Sequence, residues 1–131
     1  MSFGLNLTGA RIPGTDWHDA NLSNAKLART VFSRAIFDRT ILVEANLEDA
    51  TLVQVNLHNA DLSRANLTRA DFTSAILDGA LMVGANFKDA VLTGATLKGA
   101  NLTQAVNLTA EQVKSALIDG NTKLPTDLFL A

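Results

Sequence analysis

The 131-residue sequence contains no cysteine, no tyrosine, two prolines and one tryptophan, and aromatic residues make up only 5% of it. Without cysteine there is no disulfide framework, no thiolate metal site and no cysteine nucleophile. Charge of one sign is also lacking: 11 basic residues against 13 acidic ones leave a formal net charge of -2. So small an imbalance carries no nucleic-acid, membrane-surface or acidic-substrate signal. No run approaches the ~18 to 20 apolar residues that span a bilayer. The N-terminal Met1-Ser2-Phe3-Gly4-Leu5 has no basic segment before a long apolar one and fails the Met-Gly pattern of myristoylation. The expectation is a single cytoplasmic domain with no membrane and no nucleic-acid partner. The catalytic patterns GxSxG, P-loop, GxGxxG and HExxH are missing too, so neither an enzyme nor a cofactor is expected.

Two residue types are abundant instead. Ala and Leu each occur 20 times. That bias calls for a repeat search. Ala falls at every fifth position from Ala60 to Ala100, and two residues after each comes a large apolar centre, from Leu62 to Leu102. Extended in both directions, the centres run without a break from Leu7 to Leu102, giving 20 five-residue units over residues 5–104. Thirteen centres are Leu, four are Phe, and the others are Ile12, Trp17 and Met82. Fifteen of the small positions are Ala; Leu5, Thr15, Thr30, Thr40 and Val55 are the exceptions. Between small residue and centre stands Asn or Asp in many copies, as in Ala45-Asn46-Leu47 and Ala60-Asp61-Leu62.

A period of five fits neither a helix nor a flat strand. Five residues turn a helix by ~500°, which scatters the centres around its surface. A flat strand sends successive centres to opposite faces. The chain must turn a corner every five residues and return each centre to the inside. Four such units close a square coil, and coils of this kind stack. The A-(D/N)-L-x-x signature over residues 5–104 resembles the pentapeptide repeat family. That resemblance implies an all-β solenoid: a right-handed quadrilateral β-helix of about five coils.

A 20-residue coil sorts the centres into four internal columns, with Phe32, Phe37, Leu47, Leu57, Leu62, Leu67, Phe72 and Phe87 as the expected core. The Ala positions should face inward as well. After Gln104 the repeat is expected to break, leaving residues 105–131 as a cap and residues 1–4 as a lead-in. Thr109 with Gln112 forms a capping box, Val113, Ala116 and Leu117 make a helical stripe, and Gly120 is the expected stop, so a helix is expected near residues 110–118. Leu108 to Gln112 with Thr122-Lys123-Leu124-Pro125 also resembles the C-terminal cap of many cyanobacterial pentapeptide repeat proteins. At the other end, either Phe3 and Trp17 close the first coil or a partner does. A monomer is favoured over an end-to-end homodimer through the N-terminal coil.

Outward positions carry a second period. Residues 32–52 share 10 of 21 identities with residues 72–92 but only 5 with residues 52–72. A two-coil unit was duplicated. Its outward apolar residues, Ile36, Ile41 and Val43 in one copy and Ile76, Leu81 and Val83 in the other, form the candidate partner surface; β-branched residues also simply suit strands. The metal-ligating candidate is the column His18, Asp38, His58, two imidazoles flanking a carboxylate. A flat column has no pocket or second layer of ligands, so a solvated ladder is the simpler reading and no metal is expected. Asn6, Asn46, Asn66 and Asn86 form a column expected to be structural.

Function then falls among three classes: an interaction scaffold with an unknown protein partner, a topoisomerase-binding mimic of DNA, or a metal-binding protein. The resemblance raises the second class, since some pentapeptide repeat proteins bind DNA gyrase. Duplex DNA carries one negative charge per ~1.7 Å. Residues 5–104 hold ten acidic and nine basic residues, a net of -1. That balance disfavours mimicry and leaves the non-enzymatic scaffold as the expectation.

Overall fold

The computed structural model describes residues 4–128. Phe3, one of the two residues expected to close the N-terminal end, lies outside the described residues, as do residues 129–131 of the expected cap. Parallel bridges join residues 20 apart, or 21 and 22 apart at Leu117 and Lys123, and they fall into four columns. The first contains Asn6, Lys26, Asn46, Asn66, Asn86 and Val106. The second contains Arg11, Val31, Thr51, Asp71 and Val91. The third contains Asp16, Ile36, Asn56, Ile76, Thr96 and Leu117, and the fourth Asn21, Ile41, Asp61, Leu81, Asn101 and Lys123. Each strand is one bridge wide, because the chain turns again before a second pair forms. At an inter-strand spacing of ~4.8 Å, five coils rise by roughly 24 Å.

The corner explains the period. Apart from Ile12, the centre of each unit accepts a backbone bond from the residue three ahead, as in Ala65 N–H to Leu62 O at 3.0 Å. The last residue of the unit has positive φ at each of the 20 corners, six times as Gly and otherwise as a side-chain-bearing residue such as Arg29 (φ 57°) or Glu44 (φ 60°). Positive φ at the third of four residues is the type II turn. Ile12-Pro13-Gly14-Thr15 has the residues this turn favours, and here the Thr15 hydroxyl donates to Ile12 O at 2.9 Å. For L-residues the left-handed region costs about 1 to 2 kcal/mol each. The glycines therefore mark only the easier corners.

The Asn or Asp of the signature has its own duty. Its Oδ1 accepts the backbone N–H two residues on: Asn6 from Thr8, Asn46 from Glu48, Asp61 from Ser63 and Asp71 from Thr73, each at 3.0 Å. This Asx turn satisfies a donor that the ladder leaves over.

From Leu22 to Leu102 every centre is buried, and from Ala25 to Ala100 every small position is buried, as the inward assignment required. Phe32 and Phe37 meet edge-to-face with centroids 5.0 Å apart. Thr30 and Thr40 replace Ala inside the coil and donate their hydroxyls to Leu7 O and Trp17 O. The first coil is different: Leu7, Ile12 and Trp17 are only partly buried. The Trp17 indole N–H donates to Thr15 Oγ1 within its own coil.

After Gln104 the five-residue spacing ends, but the ladder of bridges runs on into the cap. Val106, Leu117 and Lys123 extend the first, third and fourth columns, and a helix, α1 (Ala110–Ser115), occupies the place of the second. The capping box of Thr109 and Gln112 is present. The C-cap is Ala116 rather than Gly120, because Leu117 must be extended to pair with Thr96. Val113 is buried, but Leu117 is exposed and belongs to the ladder rather than the helical stripe. Among the described residues no helix is long and apolar enough to cross a membrane.

Candidate functional site

The corner between the third and fourth columns carries the expected partner surface. Ile36, Ile41, Ile76 and Leu81 are 40%, 39%, 41% and 44% exposed, and Val43 and Val83 beside them are half-buried. All six belong to the second and fourth coils. Asn56, Asp61 and Ser63 separate them in the coil between, through the bridges Ile36–Asn56–Ile76 and Ile41–Asp61–Leu81. The result is two apolar bars with a polar rung between them. In the sixth coil Leu117 and Ile118 are exposed in the same way, and sequence reasoning missed them because they were assigned to the cap.

These apolar residues stand in the Asx position. Where Asn56 and Asp61 accept the N–H groups of His58 and Ser63, Ile36, Ile41, Ile76 and Leu81 have no oxygen to offer. Each gives up a bond worth ~0.5 to 1.5 kcal/mol. Each also leaves about 40% of its surface exposed.

The histidine column is arranged differently. His18 turns its Nδ1 to Asp16 Oδ1 at 2.8 Å, and Asp16 also accepts the His18 backbone N–H. The Asp16 hydrogen bond holds the imidazole above its ordinary pKa. The His18 backbone N–H, more than the ring, holds Asp16 below the usual carboxylate range. His58 Nδ1 faces Asn59 Nδ2 at 3.3 Å. Asp38 keeps one buried carboxylate oxygen without a hydrogen-bond partner, and Asp78 accepts from the Lys98 backbone. The structure thus brings His18 to Asp16 rather than to Asp38 and His58. Among the described residues no group of three or more metal-ligating side chains gathers. In the asparagine column, Asn66 donates to Asn46 at 3.3 Å and Asn107 to Asn86 at 3.0 Å.

Charges at the corners are paired up the stack. Arg39 holds Asp19 through two bonds at 2.7 and 3.1 Å. Arg69 holds Asp49 at 2.9 and 3.1 Å and also reaches Glu48 at 2.6 Å. Arg64 lies 3.5 Å from Glu44. These guanidiniums hold Asp19 and Asp49 below the usual carboxylate range. The acidic residues therefore form no continuous negative stripe. An open hollow of about 480 Å³ beside α1 is lined by Lys88, Asp89, Asn107, Thr109 and Gln112. It brings together no nucleophile and base, and its Gln112 amide is already bound to Phe87 O and Ala90 O.

Comparison with known proteins agrees with the period. The model of the pentapeptide repeats matches eight copies over residues 4–39, 18–52, 40–79 and 70–106. No curated protein matches the chain. Among solved structures, a pentapeptide repeat protein from the Arabidopsis thaliana thylakoid lumen is 32% identical, with a TM-score of 0.41 over 67% of this chain. The match spans 65% of that protein's length. The pentapeptide repeat protein Rfr23 from the cyanobacterium Cyanothece 51142 is 26% identical over 92% of this chain and 88% of its own, with a TM-score of 0.33. QnrB1, a plasmid-mediated fluoroquinolone resistance protein, is 17% identical over 94% of this chain and 78% of its own, with a TM-score of 0.43. Pentapeptide repeat proteins are structural scaffolds, some with interaction roles, and are generally non-enzymatic. The unbroken five-residue period, the 20-residue bridges and the family match over residues 4–106 together make this chain a member of the pentapeptide repeat family, a β-helix solenoid.

Proposed function

We propose that this protein is a non-enzymatic scaffold that holds a protein partner against the corner formed by Ile36, Ile41, Val43, Ile76, Leu81 and Val83. The rod beneath it is read as a right-handed, four-sided β-helix of about five coils with a C-terminal helical cap. Bridges at 20-residue spacing and the bonds of Gln112 to Phe87 O and Ala90 O support that reading. The observation that carries the function is the exposed apolar residue in the Asx position. It forgoes a backbone bond and stays about 40% exposed, and it recurs on both columns in the second and fourth coils.

The spacing suits a particular partner. Two coils separate the bars by ~9.6 Å. Seven residues of an α-helix rise by ~10.5 Å. An amphipathic partner helix laid along the stack meets both bars with apolar residues one heptad apart. Lysine at the bars tests this. Affinity capture with the wild type is compared with Ile41→Lys/Leu81→Lys and with a control, Thr51→Lys/Thr93→Lys, on the second column's side. The expected result is a partner lost from the first variant and kept by the control. Identical captures from all three proteins would count against the docking corner.

The paired corner charges speak against the topoisomerase-binding reading. A supercoiling assay with this protein is expected to show no inhibition of gyrase.

A further inference from the structure

The carboxylates of the rod divide into two kinds. Asp19, Glu44 and Asp49 are exposed, and each is paired with an arginine from the next coil. Asp38, Asp61 and Asp78 are half-buried, and among the described residues none of the three has an ion pair. Charge is thus neutralised where water already screens it and left alone where water screens it less. Arg39 follows Asp38 directly in the chain but turns to Asp19. Asp38 keeps one oxygen buried and without a hydrogen-bond partner. Asp61 and Asp78 each accept one backbone N–H, from Ser63 and Lys98, and have a second oxygen to offer.

All three stand among the apolar bars. Asp38 lies between Ile36 and Ile41 along the chain, and Asp78 between Ile76 and Leu81. Asp61 is the rung that bridges Ile41 to Leu81. The whole side shares this character. Residues 15–24, 35–44, 55–64, 75–84 and 95–104, which make the third and fourth columns with their corners, hold six acidic and three basic residues, a net of -3. The rest of residues 5–104 hold four acidic and six basic, a net of +2. The near-neutral total conceals two sides of opposite sign.

We propose, resting on the docking corner above, that its occupant is a cationic amphipathic helix, with lysine or arginine flanking the apolar residues that meet the bars. Asp38 and Asp78 lie two coils apart, ~9.6 Å. One cation per heptad, every ~10.5 Å along the helix, meets each in turn. Asp61 lies one coil from either, ~4.8 Å, close to the ~5.4 Å of one helical turn. A cation three or four residues from the others falls there. A partner that covers the bars also strips water from these carboxylates, and a charge left unpaired under it costs free energy. A neutral helix leaves all three uncompensated, an acidic one adds repulsion, and a basic one supplies the counter-charge.

Two synthetic peptides test this. Both carry one leucine stripe over about three heptads, flanked by lysine in the first and by glutamate in the second. Calorimetry at about 0.15 M salt compares them. The lysine peptide is expected to bind roughly tenfold more tightly or better. Asp38→Asn/Asp78→Asn keeps the side-chain shape and should weaken the lysine peptide by about threefold or more, whereas Asp71→Asn/Asp89→Asn, the same change of charge on the other sides, should leave it within about twofold. Ile41→Asn/Leu81→Asn removes the apolar contact without adding charge and should weaken it by about tenfold or more. A further readout needs no variant: in the wild type the δ1 methyl signals of Ile36, Ile41 and Ile76 should move with the lysine peptide while that of Ile12 stays. Equal binding of both peptides, lost in Ile41→Asn/Leu81→Asn, would overturn the cationic occupant and leave the docking corner standing. Equal weakening by the two aspartate pairs would overturn it too, the attraction then being general to the rod. So would a lysine peptide that does not bind. A lysine peptide that binds with Ile36, Ile41 and Ile76 unmoved would overturn it and count against the docking corner as well.

Discussion

Ala65 shows most simply what the period demands. It is 1% exposed and stands among centres stacked above and below. Ala65→Leu adds volume where the corner leaves none, and a loss of roughly 1 to 3 kcal/mol is expected. Thermal melting measures it; an unchanged midpoint would mean that the small positions are not packing-limited. His18 gives a residue-scale test on the outside. Its raised pKa comes first from the Asp16 hydrogen bond. The fold therefore favours the imidazolium. The stability this contributes is fully present below the ordinary histidine value of about 6.5 and is lost as pH rises through the raised midpoint. An NMR titration is expected to place His18 above 6.5 in the wild type and to return it toward that value in Asp16→Asn. A midpoint indifferent to Asp16 would remove the pair.

At the scale of the element, α1 is held by one side chain more than by its six residues. Gln112 closes the capping box with Thr109 and donates to Phe87 O and Ala90 O. Gln112→Ala leaves Ala90 O without its protein partner and Phe87 O with only the Ala90 N–H, and a loss of about 1 to 3 kcal/mol is expected, read by chemical denaturation. Hydrogen exchange should show the loss concentrated in the last coil, since each coil contacts only its neighbours. The capping box was legible in the sequence because its spacing is local. The role of Gln112 in closing the ladder was not, because Phe87 lies 25 residues away. The same limit hid the sixth coil. Val106, Leu117 and Lys123 continue three columns, but α1 adds residues between them and shifts the spacing off 20. Inward positions such as Leu57 and Ala75 could be assigned from phase alone, since one geometric rule repeats at every corner. The bonds of His18 could not, because phase says which column a side chain belongs to and nothing about which neighbour it turns to.

Across the whole molecule, the surface separates into regions of different character. Corners carry ion pairs between coils, and one lateral corner presents apolar bars at two-coil intervals. The duplicated two-coil unit supplied the outline of that corner from sequence, because outward identities such as Ile36 with Ile76 are free of core duty. Its meaning needed the hydrogen bonds, which show what Asn and Asp do in the same positions. The five isoleucines, Ile12, Ile36, Ile41, Ile76 and Ile118, report on these regions separately. Methyl-labelled protein titrated with a partner isolated by affinity capture tests the central claim most directly. The result expected is that the δ1 signals of Ile36, Ile41 and Ile76 shift or broaden together while Ile12 stays fixed. Shifts confined to Ile12 or Ile118, with those three unmoved, would contradict the docking corner.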